Sequence, residues 1–182
     1  DRIDLGLGRA PGTDGMTMRA LRRDRVESEE DFPRAVMELQ RLLADAQPGQ
    51  KLIATPGAGT HVPIWLLGSS LFSAQLAAHL GLPYAFASHF APRMLHQAVQ
   101  LYRDLFKPSA ALAKPYVIVG APVIAAPTDA EAEYLASSTY QRVLGILTGQ
   151  RGLLPRPVES FMDNLNDAER QAIEGFLAVA SI

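Results

Sequence analysis

Hydroxyl side chains cluster between a predicted strand and a predicted helix, in the turn Gly68–Ser70 and at Ser73 one helical turn later. The apolar run Ile64–Leu67 before them is typical of a fully buried parallel strand. Unpaired N–H groups at a helix start, the helix dipole and serine hydroxyls together can bind an anion. The alternative is that these serines only cap the helix, because Ser is a preferred N-cap residue.

Two more side chains with suitable chemistry follow other predicted strands. Arg9 ends the alternating pattern of residues 2–9, and its guanidinium can make a bidentate contact with a phosphate. The alternative for Arg9 is an ion pair with Asp4 or Asp14. His89 can move a proton or bond a ligand, and its alternative is an ordinary polar surface residue.

The elements that must position these side chains alternate between strand and helix. Strands are predicted at residues 2–9, 64–67, 84–87 and 116–126, and helices start near Asp31, Ser70, Pro92, Thr128 and Asn166. No hairpin signal separates the strands, which favours a parallel sheet built from βαβ units. Since parallel strands end on one rim, Arg9, the Gly68–Ser70 turn and His89 should face one cleft. This convergence favours a site for a phosphate or another anion over simple capping.

Composition excludes several classes of protein. With 182 residues and 48% hydrophobic content, residues 1–182 can bury a core as a single domain. A formal net charge of −2 gives no electrostatic footprint for nucleic acid. The absence of cysteine excludes disulfides and thiolate metal sites and fits a cytoplasmic protein. We expect no metal, because the histidines lack the spacing of a metal pair, and no membrane contact, because no apolar run is long enough.

Known catalytic motifs do not account for the cluster. Gly6 and Gly8 begin a pattern similar to a dinucleotide fingerprint, but Pro11 stands where its third glycine belongs. The sequence contains neither a G-x-S-x-G elbow nor a G-x-x-x-x-G-K-[ST] phosphate loop. No acid, base or nucleophile has a strong pattern, so the catalytic residues stay unassigned.

Three segments closely resemble the bacterial luciferase-like flavin-dependent monooxygenases. They are RIDLGLGRAPGTD at Arg2–Asp14, PIWLLGSSLFSAQLAAHLGLPYAFASHFAP at Pro63–Pro92, and PYVIVGAPVIAAPTDAEAEYL ending at Leu135. The resemblance covers nearly the whole chain and implies an α/β fold, the (β/α)8 TIM barrel of the luciferase-like type. Such a barrel takes roughly 250 residues. We therefore expect only its middle and later strands here, in a piece of a longer protein.

The resemblance also implies a function and a set of site residues. Members of the family use reduced FMN, or a deazaflavin in some branches, and activate O2 at the carboxyl rim of the barrel. It implies a monooxygenase or oxidoreductase that uses FMN rather than deazaflavin on a small, aldehyde-like substrate, a flavin reductase as supplier, and a homo-oligomer. The residues implied around the flavin phosphate are Arg9, Gly68, Ser69, Ser70 and Ser73. His89 is implied near the flavin or substrate, and a second phosphate arginine could be any of Arg19, Arg22, Arg23 and Arg25.

Two other readings of the residues stay open at this point. One is a non-catalytic module that binds a flavin or a phosphate without turnover. The other is a doubly wound α/β protein that is complete at this length.

Overall fold

A parallel sheet of four strands organises the fold, in the computed structural model. The strands are β1 (Leu5–Gly8), β2 (Ile64–Gly68), β3 (Tyr84–Phe86) and β4 (Val117–Val119). They lie in the order β1-β2-β3-β4, and every neighbouring pair is parallel. Leu5 pairs with Ile64, and Leu66 with Tyr84. The predicted parallel α/β sheet is confirmed.

The strand order decides between two kinds of α/β architecture. In a doubly wound sheet the order reverses at a switch point, and that crevice holds the ligand. Among the strands that the structure describes, each new strand adds to the same side of the sheet. This sequential order is the one by which a (β/α) barrel is wound, and it excludes the doubly wound alternative for this part of the chain.

The structure describes residues 2–10, 15–20, 31–89, 91–150 and 152–177. The helices are α1 (Gly15–Ala20), α2 (Phe32–Leu43), α3 (Leu71–Leu80), α4 (Leu95–Leu105), α5 (Asp129–Leu147) and α6 (Asp167–Leu177), with 3-10 turns at Pro92–Met94 and Met162–Asn164. In these residues, no helix combines the length and apolar content that crossing a bilayer requires.

The chain divides into two compact units, residues 1–87 with 94–119 and residues 88–93 with 120–182. The first unit contains the whole sheet with α1 to α4, and the second contains α5 and α6. The expected single domain over residues 1–182 stays a prediction.

Aromatic side chains form the core of the first unit, where α3 and α4 cover the sheet. Leu66, Tyr84 and Tyr102 are fully buried. The Tyr84 and Tyr102 ring centroids lie 5.4 Å apart. The Tyr102 hydroxyl donates to the Leu82 carbonyl at 2.9 Å and accepts from the Tyr116 N–H at 3.2 Å. These bonds satisfy a buried phenol and fix α4 beside the amino ends of β3 and β4.

The last strand is much shorter than the sequence predicts. The run 116–126 is strongly β-forming, yet only Val117–Val119 pairs with β3. β4 is an edge strand of the described sheet, so its residues find hydrogen-bond partners on one side only. Pro122 cannot donate to a ladder, and the backbone from Gly120 onward belongs to the second unit.

Candidate functional site

In the part of the chain that the structure describes, the turn between β2 and α3 leaves the first backbone N–H groups of the helix without a side-chain cap. Ser70 occupies the N-cap position with extended backbone angles, φ −132° and ψ 163°. Within the described residues its hydroxyl makes no capping hydrogen bond. The N–H groups of Leu71, Phe72 and Ser73 have no intrahelical acceptor, because the helix begins after the carbonyls that would serve them. Ser70 is therefore where the sequence predicts an N-cap, but its side chain does not close the helix end.

The side chain of Ser73 stabilises this turn. It is buried, and its hydroxyl donates to the Ser70 carbonyl at 2.9 Å. The Tyr84 hydroxyl also points at that carbonyl, at a longer 3.4 Å. Burial raises the pKa of the Tyr84 phenol, and a hydrogen bond with Ser73 partly opposes that rise. The Ser73 hydroxyl proton is thus used within the turn, while its backbone N–H still faces the open helix end.

Gly68 is required by the close approach of Ser73. A Cβ on Gly68 would lie 2.7 Å from the Ser73 Cβ, and closer still to its Oγ. Real side chains do not approach that closely, so any other residue would displace Ser73 or the turn. The glycine at the end of β2 is therefore explained by packing against the first turn of α3.

Arg9 lies beside the same helix end. It follows β1, and its Cζ is 4.3 Å from the centroid of the Phe72 ring in the first turn of α3. This distance is well inside the range of a cation–π contact. Among the described residues no ion pair joins Arg9 to Asp4, and Asp14 lies outside them. The structure thus brings Arg9 close to the start of α3, as expected if parallel strands end on the same rim of the sheet.

The other predicted candidates are distributed differently. The Ala87 N–H donates to the Gly68 carbonyl at 2.9 Å, so β3 ends beside the turn. His89 is exposed and belongs to the second unit, so its place near a flavin or substrate stays a prediction. Arg19 lies in α1. The remaining candidates for a second phosphate arginine, Arg22, Arg23 and Arg25, lie outside the described residues.

A cavity of about 500 Å³ lies at the opposite end of β2. Its walls include Leu43, His61, Ile64 and Leu82. The His61 ring nitrogen Nε2 lies 3.2 Å from an oxygen of Asp45, so these two side chains are partners of each other. The cavity is therefore at the amino end of the strand, away from the hydroxyl cluster at its carboxyl end.

Sequence reasoning did not single out two residues of this arrangement, Phe72 and Tyr84. Phe72 fits the apolar face of α3, and nothing in its spacing indicates a contact with Arg9, which is distant in the chain. Tyr84 does carry a signal, since a tyrosine in an otherwise apolar strand usually needs a hydrogen-bond partner.

Comparison with known proteins gives the family. The model of the luciferase-like monooxygenases matches residues 1–178. The chain belongs to the luciferase-like monooxygenase family. A luciferase-like monooxygenase of Escherichia coli K12 is 48% identical over 181 residues. The uncharacterized protein YvbT of Bacillus subtilis 168, another relative, is 52% identical over 165 residues.

A solved structure supports the same family. The crystal structure of apo-MsnO8 superposes with a TM-score of 0.74 over 85% of this chain, at 35% sequence identity. The α/β fold of the luciferase-like type, expected from the resemblance, is thereby confirmed.

The chain spans about half the length of the luciferase-like proteins it matches. The matches cover 100% of this chain but 54% of the E. coli protein, and 90% of it but 48% of YvbT. For apo-MsnO8 the covered share of that chain is 46%.

Proposed function

We propose that this protein is a flavin-dependent monooxygenase whose flavin phosphate binds at the start of α3. Family membership supports a monooxygenase-type activity. The observation that carries the phosphate site is the contact of Arg9 with Phe72, beside a helix end that Ser70 does not cap. A positive side chain and outward N–H groups at one point are what a phosphate dianion requires.

The residues present fit a flavin phosphate. The donors are the N–H groups of the first turn of α3, the Ser69 and Ser70 hydroxyls and the Arg9 guanidinium, and all are neutral or positive. The first turn of α3 contains no acidic residue, so nothing in it repels an anion. Gly68 and Ser73 shape the turn, and Ser73 adds its backbone N–H. Among the described residues, this set of donors and the positive end of the helix dipole suit an anion.

The chain's own contribution is binding and orientation. When bound, reduced FMN would supply the electrons for O2, of which one atom would enter a small organic substrate, with an aldehyde as the first class to test. Anchoring the phosphate at the rim fixes where the rest of the cofactor lies, because the phosphate is at the end of the ribityl chain. His89 is proposed to lie near the flavin or substrate. A flavin reductase and a second copy of the chain are proposed partners.

Turnover by the full-length gene product tests this function. Purified protein is supplied with a flavin reductase, NADH, FMN, O2 and a series of aldehydes, and loss of aldehyde and formation of acid are measured. We expect FMN-dependent product that is absent without O2. Tight FMN binding without turnover of any substrate would instead favour a non-catalytic flavin-binding module. Absence of FMN binding would contradict the proposal.

A further inference from the structure

We propose that Phe72 is a positioning residue, which holds the Arg9 guanidinium over the start of α3 and thereby sets the preference for a phosphorylated flavin. This inference rests on the proposed function, because it assigns the recognition of the phosphate to Arg9. Phe72 itself touches no reacting atom. It fixes the position of the Arg9 guanidinium before the cofactor binds.

The geometry connects the cation to the helix that provides the other donors. Phe72 is the second residue of α3, and the Arg9 Cζ lies 4.3 Å from its ring centroid. The ring therefore belongs to the same helical turn that provides the N–H groups, whereas Arg9 reaches it from the end of β1. A long arginine side chain loses much rotamer freedom when a ligand fixes it. Holding it in advance removes part of that loss from binding.

An aromatic partner differs from an acidic one in a way that suits this site. A carboxylate beside Arg9 would neutralise its charge and compete with the phosphate for its N–H groups. A ring attracts the guanidinium through its quadrupole and leaves the full positive charge in place. In the described part of the chain Arg9 makes no ion pair, and Phe72 is half-buried rather than part of the closed core. The ring thus has the exposure that a contact with a cation at the rim requires.

The test compares two flavins that differ only in the phosphate. Dissociation constants of FMN and riboflavin are measured by fluorescence quenching, on the full-length gene product and on the variants Phe72→Leu, Phe72→Tyr, Arg9→Ala and Phe72→Leu with Arg9→Ala. Phe106→Leu is the matched control, because Phe106 is a half-buried aromatic residue that packs on Tyr102, 5.6 Å between centroids. Circular dichroism checks that each variant is folded.

We expect Phe72→Leu to weaken FMN binding by about threefold to tenfold, the range of one cation–π contact, and to leave riboflavin unchanged. Phe72→Tyr keeps the ring and should keep the wild-type ratio of the two constants, as should Phe106→Leu. In the Arg9→Ala background, Phe72→Leu should have no further effect, which is the signature of two coupled residues.

Two results would overturn the inference while leaving the phosphate site intact. One is an unchanged ratio of the two dissociation constants in folded Phe72→Leu, whether neither affinity or both affinities fall. The other is a further fall of the ratio when Phe72→Leu is added to Arg9→Ala. If Phe72→Leu does not fold, a lowered ratio in folded Phe72→Tyr would overturn it in the same way. Failure of the proposed function has a different appearance, since the wild-type protein itself would then bind both flavins equally or neither.

Discussion

The starts of α3 and α5 have nearly the same backbone and opposite chemistry. Ser70 and Thr128 are both extended N-cap residues, with φ −132° and ψ 163° for Ser70 and φ −133° and ψ 154° for Thr128. The Thr128 hydroxyl accepts from the Glu131 N–H at 3.2 Å, whereas Ser70 makes no such bond among the described residues. The first turn of α5 is acidic and that of α3 is not. One helix end is capped by its own threonine, and the other has no side-chain cap among the described residues and is the end that we propose binds the phosphate.

The start of α6 shows that closure is not peculiar to α5. The Asn166 side chain accepts from the Glu169 N–H at 2.9 Å, and the Glu169 carboxylate accepts from the Asn166 N–H at 3.1 Å. This reciprocal pair is a capping box that satisfies both donors. A hydroxyl or amide at the N-cap is thus not enough to identify a ligand site. What distinguishes α3 is a positive charge from another strand in place of an acid in its own first turn.

Gly68→Ala should have the largest effect, because it disturbs the whole open helix end. The new Cβ would lie 2.7 Å from the Ser73 Cβ. Overpacking of this kind costs up to about 3 kcal/mol, which corresponds to about 100-fold in FMN affinity if the turn moves. FMN titration and thermal unfolding measure the two effects. Gly152→Ala is the control, since nothing lies within 4 Å of its Cβ position, and an equal loss there would contradict the explanation.

Arg9→Ala removes the cation from the open end and should rank second. A hydrogen bond to a charged group is worth roughly 2 kcal/mol, so FMN affinity should fall about 30-fold while riboflavin affinity is kept. Arg103→Ala removes an exposed arginine from the last turn of α4 and should change neither. Full FMN affinity in Arg9→Ala would eliminate the phosphate role of this residue.

The variants Ser70→Ala and Thr128→Ala compare the two helix ends directly, because each removes the hydroxyl at one N-cap position. Thr128→Ala removes a cap that is made, so it should cost about 1 kcal/mol of unfolding free energy and leave FMN binding alone. Ser70→Ala removes a hydroxyl that caps nothing, so stability should stay nearly constant while FMN affinity falls about fivefold. Urea unfolding and FMN titration of both variants are the measurements. Interchanged results would mean that Ser70 is an ordinary cap.

Tyr84→Phe should have the smallest effect on binding, below about twofold, because its hydroxyl makes only a long contact beneath Ser70. Its effect on stability depends on pH. Burial raises the pKa of Tyr84 above its ordinary value of 10.0, so the folded state favours the neutral phenol. The stability of the wild-type protein is therefore complete below pH 10 and falls as pH rises through the folded pKa.

Urea unfolding between pH 9 and pH 11 tests this, and Tyr84→Phe should lose less stability over that range than the wild-type protein. Part of the decline should remain in the variant, because burial also raises the pKa of Tyr102. An identical decline in both proteins would show that the Tyr84 phenol does not carry the effect.

Local patterns in the sequence predict most of the elements correctly. α3 and α5 begin directly after Ser70 and Thr128, and β2 and β3 begin at Ile64 and Tyr84, all where the sequence predicts them. These features depend on residues close together in the chain. The parallel order follows from the alternation of strands and helices, and the position of Arg9 beside α3 follows from that order.

What the sequence does not predict depends on contacts between distant segments. The contact of Arg9 with the Phe72 ring and the contact of the Tyr84 hydroxyl with the Ser70 carbonyl each connect residues from different elements. The short length of β4 depends on the strands beside which it pairs. Whether the Ser70 hydroxyl makes a capping bond also depends on side-chain geometry. Ser and Thr are both preferred at the N-cap position, so the residue type alone does not show which helix end has its capping bond.

The most direct test measures how the backbone N–H groups at the start of α3 respond to the flavin. Full-length protein labelled with ¹⁵N is titrated with FMN and then with riboflavin, and the amide signals of Leu71, Phe72 and Ser73 are compared. We expect these three signals to move with FMN and to stay in place with riboflavin, while the amide of Glu131 at the closed end of α5 does not respond to the phosphate. Signals at the start of α3 that ignore FMN, or that move equally with riboflavin, would contradict the assignment of this helix end to the flavin phosphate.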